Sequence, residues 1–233
     1  SAADKARIHA RAEAGEIDVL IGTHALIQDT VSLPRLGLVV VDEQHRFGVT
    51  QRAALGERGA ASPHVLAMSA TPIPRSLAMT VYGDLDISVL DEMPAGRQPV
   101  ITAVREERNR ERIYSFIRSQ VANGGQAFVV CPLIEESEDV PGRAAIAEHR
   151  RLQDTVFRDL RLGLVHGRMS AEDKDAAMDA FRRGETDILV ATSVIEVGID
   201  IPNATVMLIE SAGRFGLAQL HQLRGRVGRG RER

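Results

Sequence analysis

Short apolar runs recur along the chain and are separated by longer helical or polar stretches. The runs are rich in β-branched residues and lack polar alternation, so both faces of the predicted strands are apolar. Strands of this kind are typical of a parallel sheet covered by helices on both sides. The pattern therefore predicts the α/β class, with strands at 17–21, 36–41, 65–68, 87–90, 101–104, 127–131, 162–165, 187–191 and 205–209.

Two helices and two domains are predicted from the same pattern. The helices cover 108–122 and 171–183, and Ser170 with Asp173 three residues later indicates a capped helix start. The aperiodic segment DEMPAGRQP at 91–99 is predicted to link a first domain at 1–90 to a second at 100–233. The polar stretch 132–151 is predicted to be a surface loop.

Composition narrows the class of protein. The chain has 233 residues, and no apolar run approaches the ~20 residues needed to cross a bilayer. The single cysteine, Cys131, excludes an internal disulfide and a cysteine-based structural metal site, and we expect it to be a small buried side chain. These features predict a cytoplasmic globular protein without membrane contact.

Charge is distributed unevenly although the net charge is only -3. After Glu210 the chain carries six arginines and a single acidic residue, Glu232. Nucleic-acid affinity follows local clusters of basic residues rather than the total charge. A nucleic-acid partner is therefore compatible with this sequence.

Two adjacent carboxylates end the apolar run Val39-Val40-Val41. Ligands of open α/β sheets bind at the carboxyl ends of strands. Asp42 there could hold Mg²⁺ through water, and Glu43 could polarise a water that attacks a phosphate. A solvated strand end is the commoner explanation for such a pair taken alone.

Two further motifs strengthen the catalytic interpretation. Ser69-Ala70-Thr71 follows another apolar run and precedes Pro72-Ile73-Pro74, which also fits an ordinary Ser/Thr-Pro turn. Near the end lies QLRGRVGR at 222–229, where glycines allow close backbone approach and planar guanidinium groups suit phosphate oxygens. A solvated basic face is the alternative for this segment.

Together these motifs resemble those of superfamily 2 helicases. DEQH at 42–45 is similar to motif II, SAT at 69–71 to motif III, ATSVIEVGIDIPNA at 191–204 to motif V and QLRGRVGR to motif VI. The longer segments VVVDEQHRFGVTQR, SATPIPRSLAMTVYGDLDISVLDEMPAGR and GRFGLAQLHQLRGRVGRG resemble the RecG family of branched-DNA helicases.

The resemblance implies two RecA-like domains in tandem that bind ATP and Mg²⁺ between them. It assigns Mg²⁺ to Asp42, water activation to Glu43, and phosphate contacts to Arg226 and Arg229, the latter as arginine finger. The other residues to which it gives roles are Gln44 and His45 in catalysis; Gly198, Asp200 and Gln222 at the nucleotide; Ser69, Ala70 and Thr71 in coupling; and Gly22, Thr23, His24 and Thr192 on the DNA backbone.

One motif of such motors is missing from this sequence. No G-x-x-x-x-G-K-[ST] loop occurs, and neither lysine, Lys5 or Lys174, follows a glycine. In the family this loop precedes motif Ib, which Gly22-Thr23-His24 resembles. We therefore expect a first domain truncated at its N-terminus and a chain that is inactive alone.

The resemblance predicts a monomeric, ATP-driven motor that remodels forks and Holliday junctions in the bacterial cytoplasm, near the nucleoid. Two alternatives stay open. A transcription-repair coupling translocase shares similar motor motifs, although DEQH and YGDLDISV favour the branched-DNA helicases. A catalytically silent nucleic-acid-binding module would also explain the missing lysine.

Overall fold

The computed structural model describes residues 2–23, 26, 31–42, 63–69, 86–93, 99–132, 143–192 and 201–230. Its internal contacts divide the chain into two compact units, Ser1–Val81 and Tyr82–Arg233. The division lies ahead of the predicted linker at 91–99, and the part of the linker within the described residues, 91–93 and 99, is exposed and has no helix or strand.

Unit 1 contains a helix and a pair of parallel strands. Helix α1 spans Ala2–Glu13, β1 spans Leu38–Val41 and β2 spans His64–Ala67. The strands pair in register from Leu38 opposite His64 to Val41 opposite Ala67. Because the strands are parallel, their carboxyl ends lie at the same edge.

Unit 2 is built on a four-stranded parallel sheet. Its elements are α2 (Arg110–Ala122), β3 (Gln126–Val130), α3 (Arg143–Arg151), β4 (Leu162–Val165), α4 (Ala171–Arg182), β5 (Ile188–Ala191), β6 (Ala204–Ile209) and α5 (Leu217–Arg224). The strands lie in the order β4-β5-β3-β6. A 3-10 turn at Glu107–Asn109 leads into α2, a π-helical turn at Leu152–Val156 follows α3, and a second 3-10 turn covers Ala212–Arg214.

The core of unit 2 lies on both faces of this sheet. Phe128 and Val130 of β3 point to one face, where they join residues of α4 and α5. Ala127 and Val129 point to the other face, where they join residues of α2. This two-sided burial explains the absence of polar alternation in β3 and β5, and it confirms the α/β class.

Three of the predicted strands are wrong. Residues 17–21, 87–90 and 101–104 form no strand, and Ile21, Leu90 and Ile101 are 89%, 97% and 95% exposed. Hydrophobic content made them resemble strands, but a strand also needs a neighbour to pair with. Within the described residues these segments have no partner strand.

The prediction for the polar stretch 132–151 is partly wrong, whereas the predicted helix start is confirmed. Residues 143–151 form α3, whose Ala145 is buried while Arg150 is exposed. Because alanine is small, a helix that buries mainly alanine shows only a weak hydrophobic pattern in its sequence. At α4, the Ser170 hydroxyl accepts a hydrogen bond from the Asp173 amide at 3.0 Å, as the sequence predicted.

Candidate functional site

Asp42 and Ser69 lie at one edge of the sheet in unit 1. Asp42 directly follows β1, and Ser69 lies two residues beyond β2. The Met68 amide donates to the Val41 carbonyl at 2.8 Å, which extends the parallel pairing past the end of β2. Both side chains are exposed, so this edge presents a carboxylate and a hydroxyl to solvent.

Gly22 and Thr23 are exposed residues of the same unit. The Thr23 carbonyl accepts a hydrogen bond from the Leu26 amide at 3.0 Å. Thr23 is therefore accessible, as a residue that contacts DNA must be. The remaining candidates that lie outside the described residues are His24, Glu43, Gln44, His45, Ala70, Thr71, Gly198 and Asp200.

Thr192 and His166 directly follow the neighbouring strands β5 and β4 at their carboxyl ends. The Thr192 amide donates to the Val165 carbonyl at 3.2 Å, which places it beside the residue that follows β4. The Thr192 side chain is fully buried. Within the described residues, Thr192 Oγ1 and His166 Nδ1 are buried atoms without a hydrogen-bond partner. A direct contact with DNA implies an exposed hydroxyl at Thr192, whereas this structure shows a buried one.

The arginine segment, residues 211–230, is anchored to unit 2 by apolar side chains. Leu223 of α5 and Val227 beyond it are buried in the core. Between and around these anchors, Gln222 and Arg226 are half-buried and Arg229 is exposed. The Arg229 Nε donates to the Gly225 carbonyl at 2.8 Å, so the guanidinium group is held against the end of α5 through its Nε atom.

Glycines in the arginine segment are required by its backbone. Gly228 has a φ of 69°, in the left-handed region, and its amide donates to the Ala204 carbonyl at 3.1 Å. A Cβ at position 230 would lie 2.4 Å from the Pro202 carbonyl oxygen. Both contacts hold the segment close to the start of β6, so the glycine spacing serves the fold directly.

A cluster of charged residues that the sequence analysis missed lies beside β6. Arg110, at the start of α2, donates hydrogen bonds to both carboxylate oxygens of Glu210, at 2.7 and 3.0 Å. Arg110 also binds Glu107 and donates to the Tyr114 hydroxyl at 2.9 Å. The hydrogen bonds that Arg110 donates to Glu107, and then those to Glu210, raise the pKa of Arg110, so it remains charged. The partners are a hundred residues apart, and no sequence spacing indicates the pair.

Cys131 follows β3 and is buried, as expected from its apolar surroundings. Burial raises the pKa of the Cys131 thiol to about 12, and the carboxylates of Glu148 and Glu210 add to the increase. The thiol is therefore neutral at physiological pH, and a neutral thiol is a poor nucleophile.

No helix among the described residues combines the length and the apolar character needed to span a membrane. In the same part of the chain, no group of three or more His, Cys, Asp or Glu side chains is arranged to bind a metal ion directly. The exposed Asp42 carboxylate is compatible with Mg²⁺ held through water, which needs only one hard oxygen ligand from the protein.

Two helicase families match consecutive parts of the chain. The DEAD/DEAH box helicase family matches residues 2–80, and the helicase conserved C-terminal domain family matches residues 108–231. The first match contains Asp42 and Ser69, and the second contains Thr192 and the arginine segment. The two matches therefore include every candidate position named above.

Curated relatives are similar over nearly the whole chain. The ATP-dependent DNA helicase RecG of Synechocystis sp. is 56% identical over 98% of this chain and 27% of its own length. RecG of Thermotoga maritima is 55% identical over 97% of the chain and 29% of its own length. RecG of Streptococcus pneumoniae is 51% identical over 98% of the chain and 34% of its own length. The chain thus spans about a third or less of these relatives.

Solved structures agree with these sequence relatives. A structure of RecG bound to a three-way DNA junction has a TM-score of 0.70 and 50% identity, covering 99% of this chain and 29% of that one. Mycobacterium smegmatis helicase Lhr, at 20% identity and a TM-score of 0.65 over 97% of this chain and 32% of that one, shares the fold. The chain belongs to the helicase conserved C-terminal domain family, follows the DEAD/DEAH box helicase pattern in its first part, and is similar in sequence to the RecG helicases.

Proposed function

We propose that this chain forms most of the motor of an ATP-dependent helicase that remodels branched DNA. The observation that carries the proposal is the 56% identity to a RecG helicase over 98% of the chain, which includes both the strand-end acid and the arginine segment. The transcription-repair coupling translocase and the silent binding module gain no support from these relatives. Because the chain spans about a third or less of these relatives, the activity is proposed for a full-length protein that contains it.

Asp42 and Glu43 are proposed to organise the metal and the water. Asp42 presents its carboxylate at the carboxyl edge of a parallel sheet, where ligands of such sheets bind. When bound, Mg²⁺ neutralises charge on the ATP phosphates. Glu43 polarises the attacking water. Gln44 and His45 assist them, and Ser69, Ala70 and Thr71 couple the state of the nucleotide to movement of the motor.

Arg226 and Arg229 are proposed to bind the nucleotide phosphates. Arginine offers a planar fork of hydrogen-bond donors that matches phosphate oxygens. A positive charge that is already in position requires little reorganisation of its surroundings when negative charge develops in the transition state. The contact between Arg229 Nε and the Gly225 carbonyl supports such placement. Gly198, Asp200 and Gln222 complete the proposed nucleotide site.

DNA is proposed to contact the chain through its backbone. Gly22, Thr23 and His24 supply one contact, because hydroxyl and amide donors position a strand without reading its bases. The second contact, at Thr192, requires that its hydroxyl, which is buried in this structure, become accessible when DNA binds. The exposure of Thr23 supports its part in this role. We further propose that the motor acts as a monomer and works in the bacterial cytoplasm, near the nucleoid, where its branched-DNA substrates occur.

The test uses a full-length protein that contains this chain, because these 233 residues include no phosphate-binding loop. We expect ATP turnover that is stimulated more strongly by forked DNA than by linear duplex. Glu43→Gln should abolish turnover while Mg-ATP binding persists, and Asp42→Asn should also weaken Mg-dependent binding.

Asp18→Asn serves as a matched control in the same unit. Asp18 is an exposed acid whose ion pair with Arg35, at 3.7 Å, lies on the surface, and its loss should leave ATP binding and turnover unchanged. Absence of DNA-stimulated turnover in the unmodified protein would overturn the proposed function. Equal loss of nucleotide affinity in Asp42→Asn and Glu43→Gln would overturn the division of roles.

A further inference from the structure

We infer that Arg110 and Glu210 form a positioning pair that sets the direction in which the arginine segment leaves the sheet. The inference rests on the proposed function in one respect, since it assumes that Arg226 and Arg229 act on the nucleotide. Neither Arg110 nor Glu210 is proposed to touch the nucleotide. Their effect is transmitted through the turn that follows β6.

The pair is bidentate and partly shielded from solvent. Both Nη atoms of Arg110 donate to the two carboxylate oxygens of Glu210, and the side chains are only 27% and 18% exposed. Such a fork fixes the relative orientation of its partners as well as their distance. Arg110 is itself held by Glu107 and by the buried Tyr114, so the guanidinium is a fixed support for the carboxylate.

The turn after Glu210 requires this support. The Glu210 amide still belongs to the sheet, donating to the Val130 carbonyl at 2.9 Å. The next residue, Ser211, has φ 50° and ψ 48°, and it is the one non-glycine residue with positive φ among those described. A side chain in this left-handed conformation is strained and persists only where its surroundings impose it.

Contacts on both sides of Ser211 impose that conformation. On the N-terminal side Glu210 is held by the strand pairing and by Arg110. On the C-terminal side the Ser211 carbonyl accepts the Arg214 amide at 2.9 Å, and Phe215 packs against the core. The reversal at Ser211 therefore fixes where α5 begins, and Arg226 and Arg229 lie in the segment that follows the end of α5.

Unit 2 contains a second pair that makes a close control. Arg161 donates to both carboxylate oxygens of Asp187, at 2.6 and 3.1 Å, and the Asp187 side chain is 17% exposed. This pair is also bidentate and its carboxylate is equally shielded, although Arg161 is 60% exposed. It precedes β4 and β5 and so lies at the amino ends of those strands. It contributes to the same sheet without contacting the turn at Ser211.

The experiment compares Glu210→Gln, Arg110→Gln and the double variant with Asp187→Asn in a full-length protein that contains this chain. Because misplacement by about 1 Å can cost on the order of 100-fold in rate, we expect a loss of tenfold or more in kcat for Glu210→Gln, with little change in KM for ATP. The double variant should lose no more than either single variant, because the two residues act as one unit. Asp187→Asn should keep kcat near that of the unmodified protein.

A second measurement does not depend on activity. Amide hydrogen exchange followed by mass spectrometry should show loss of protection at Arg214 and Phe215 in Glu210→Gln, while Asp187→Asn retains it. Equal exchange and equal kcat in Glu210→Gln and Asp187→Asn would mean that Arg110–Glu210 is an ordinary stabilising pair, and would overturn the inference. Additive kcat losses in the double variant would overturn it as well. Absence of turnover in the unmodified protein would instead contradict the proposed function, leaving hydrogen exchange to decide the inference.

Discussion

The Met68 amide donates to the Val41 carbonyl across 2.8 Å, one residue before Asp42 and one before Ser69. This bond ties together two motifs that are separated by more than twenty residues in the sequence. Because it prolongs the pairing of β1 and β2, the two polar side chains start from adjacent points of the same sheet edge. The carboxylate proposed to hold the metal and the hydroxyl proposed to couple nucleotide state to movement therefore follow paired strands at one sheet edge.

Replacing Thr192 by valine should raise stability and weaken DNA binding. The Thr192 hydroxyl is buried without a partner among the described residues, and an unsatisfied buried polar group costs about 1–3 kcal/mol. Valine keeps the shape and removes the polar atom. Urea unfolding measures the gain, and fluorescence anisotropy with DNA of several sequences measures the loss, which should be similar for each sequence.

Thr205→Val is the matched control for that experiment. Thr205 Oγ1 is also buried without a partner within the described residues, but Thr205 lies near the start of β6, at the opposite end of the strands. We expect a comparable gain in stability and unchanged DNA affinity. Unchanged DNA affinity in Thr192→Val as well would remove Thr192 from the DNA-binding residues.

Arg229→Ala in a full-length protein should lower kcat for ATP hydrolysis far more than it raises KM. In other phosphoryl-transfer enzymes an arginine at the γ-phosphate contributes on the order of 10³-fold or more to turnover. Arg229→Lys should restore little, because lysine lacks the bidentate fork. Steady-state rates are measured against both ATP and DNA concentration.

Arg224→Ala supplies the control for Arg229. Arg224 lies on the same segment and is exposed, and its Nη2 donates to the Val100 carbonyl at 3.3 Å. We expect its loss to leave kcat near normal. If Arg229→Ala keeps a normal kcat at saturating DNA and only needs more DNA to reach it, Arg229 binds DNA rather than the nucleotide.

Cys131 should resist alkylation in the folded protein. Its thiol is buried and has a pKa of about 12, so both access and the reactive thiolate form are lacking at pH 8. Iodoacetamide labelling followed by mass spectrometry should be slow in buffer and fast in concentrated urea. Rapid labelling under native conditions would contradict the burial of this residue.

The stability of the folded protein should decrease in acid partly because the Asp187 carboxylate becomes protonated. Hydrogen bonding from Arg161 holds the pKa of the Asp187 carboxyl below its ordinary value. A lowered folded-state pKa contributes stability above the unfolded pKa of about 3.9, and this contribution is lost as the pH falls through the folded value. Asp187→Asn and Arg161→Met should each flatten this part of the pH profile in urea unfolding. An unchanged acid slope in both variants would exclude the pair as its source.

The sequence by itself determined the elements whose signal is local. The uninterrupted apolar runs of β3 and β5 predicted a two-sided core, and burial of both faces confirms it. Ser170 marked the start of α4 because a cap is made with a residue only three positions away. The motifs at 42–45 and 222–229 indicated a helicase, since their chemistry resides in the residue types and their spacing.

Tertiary structure decided whatever depends on a distant neighbour. The runs at 87–90 and 101–104 are as apolar as real strands, yet they lack a partner among the described residues and stay exposed. The burial of Thr192 also depends on a part of the chain that is distant in sequence, the neighbouring strand β4.

Arg110 and Glu210 show the same dependence most clearly, because the residues that meet are a hundred positions apart. Apolar periodicity carries no information about which arginine reaches which carboxylate, since that choice follows from the order of strands in the sheet. The left-handed turn at Ser211 is likewise imposed by its surroundings, because serine has no intrinsic preference for it. Local residue chemistry thus determined what the site contains, and strand order determined where its parts are held.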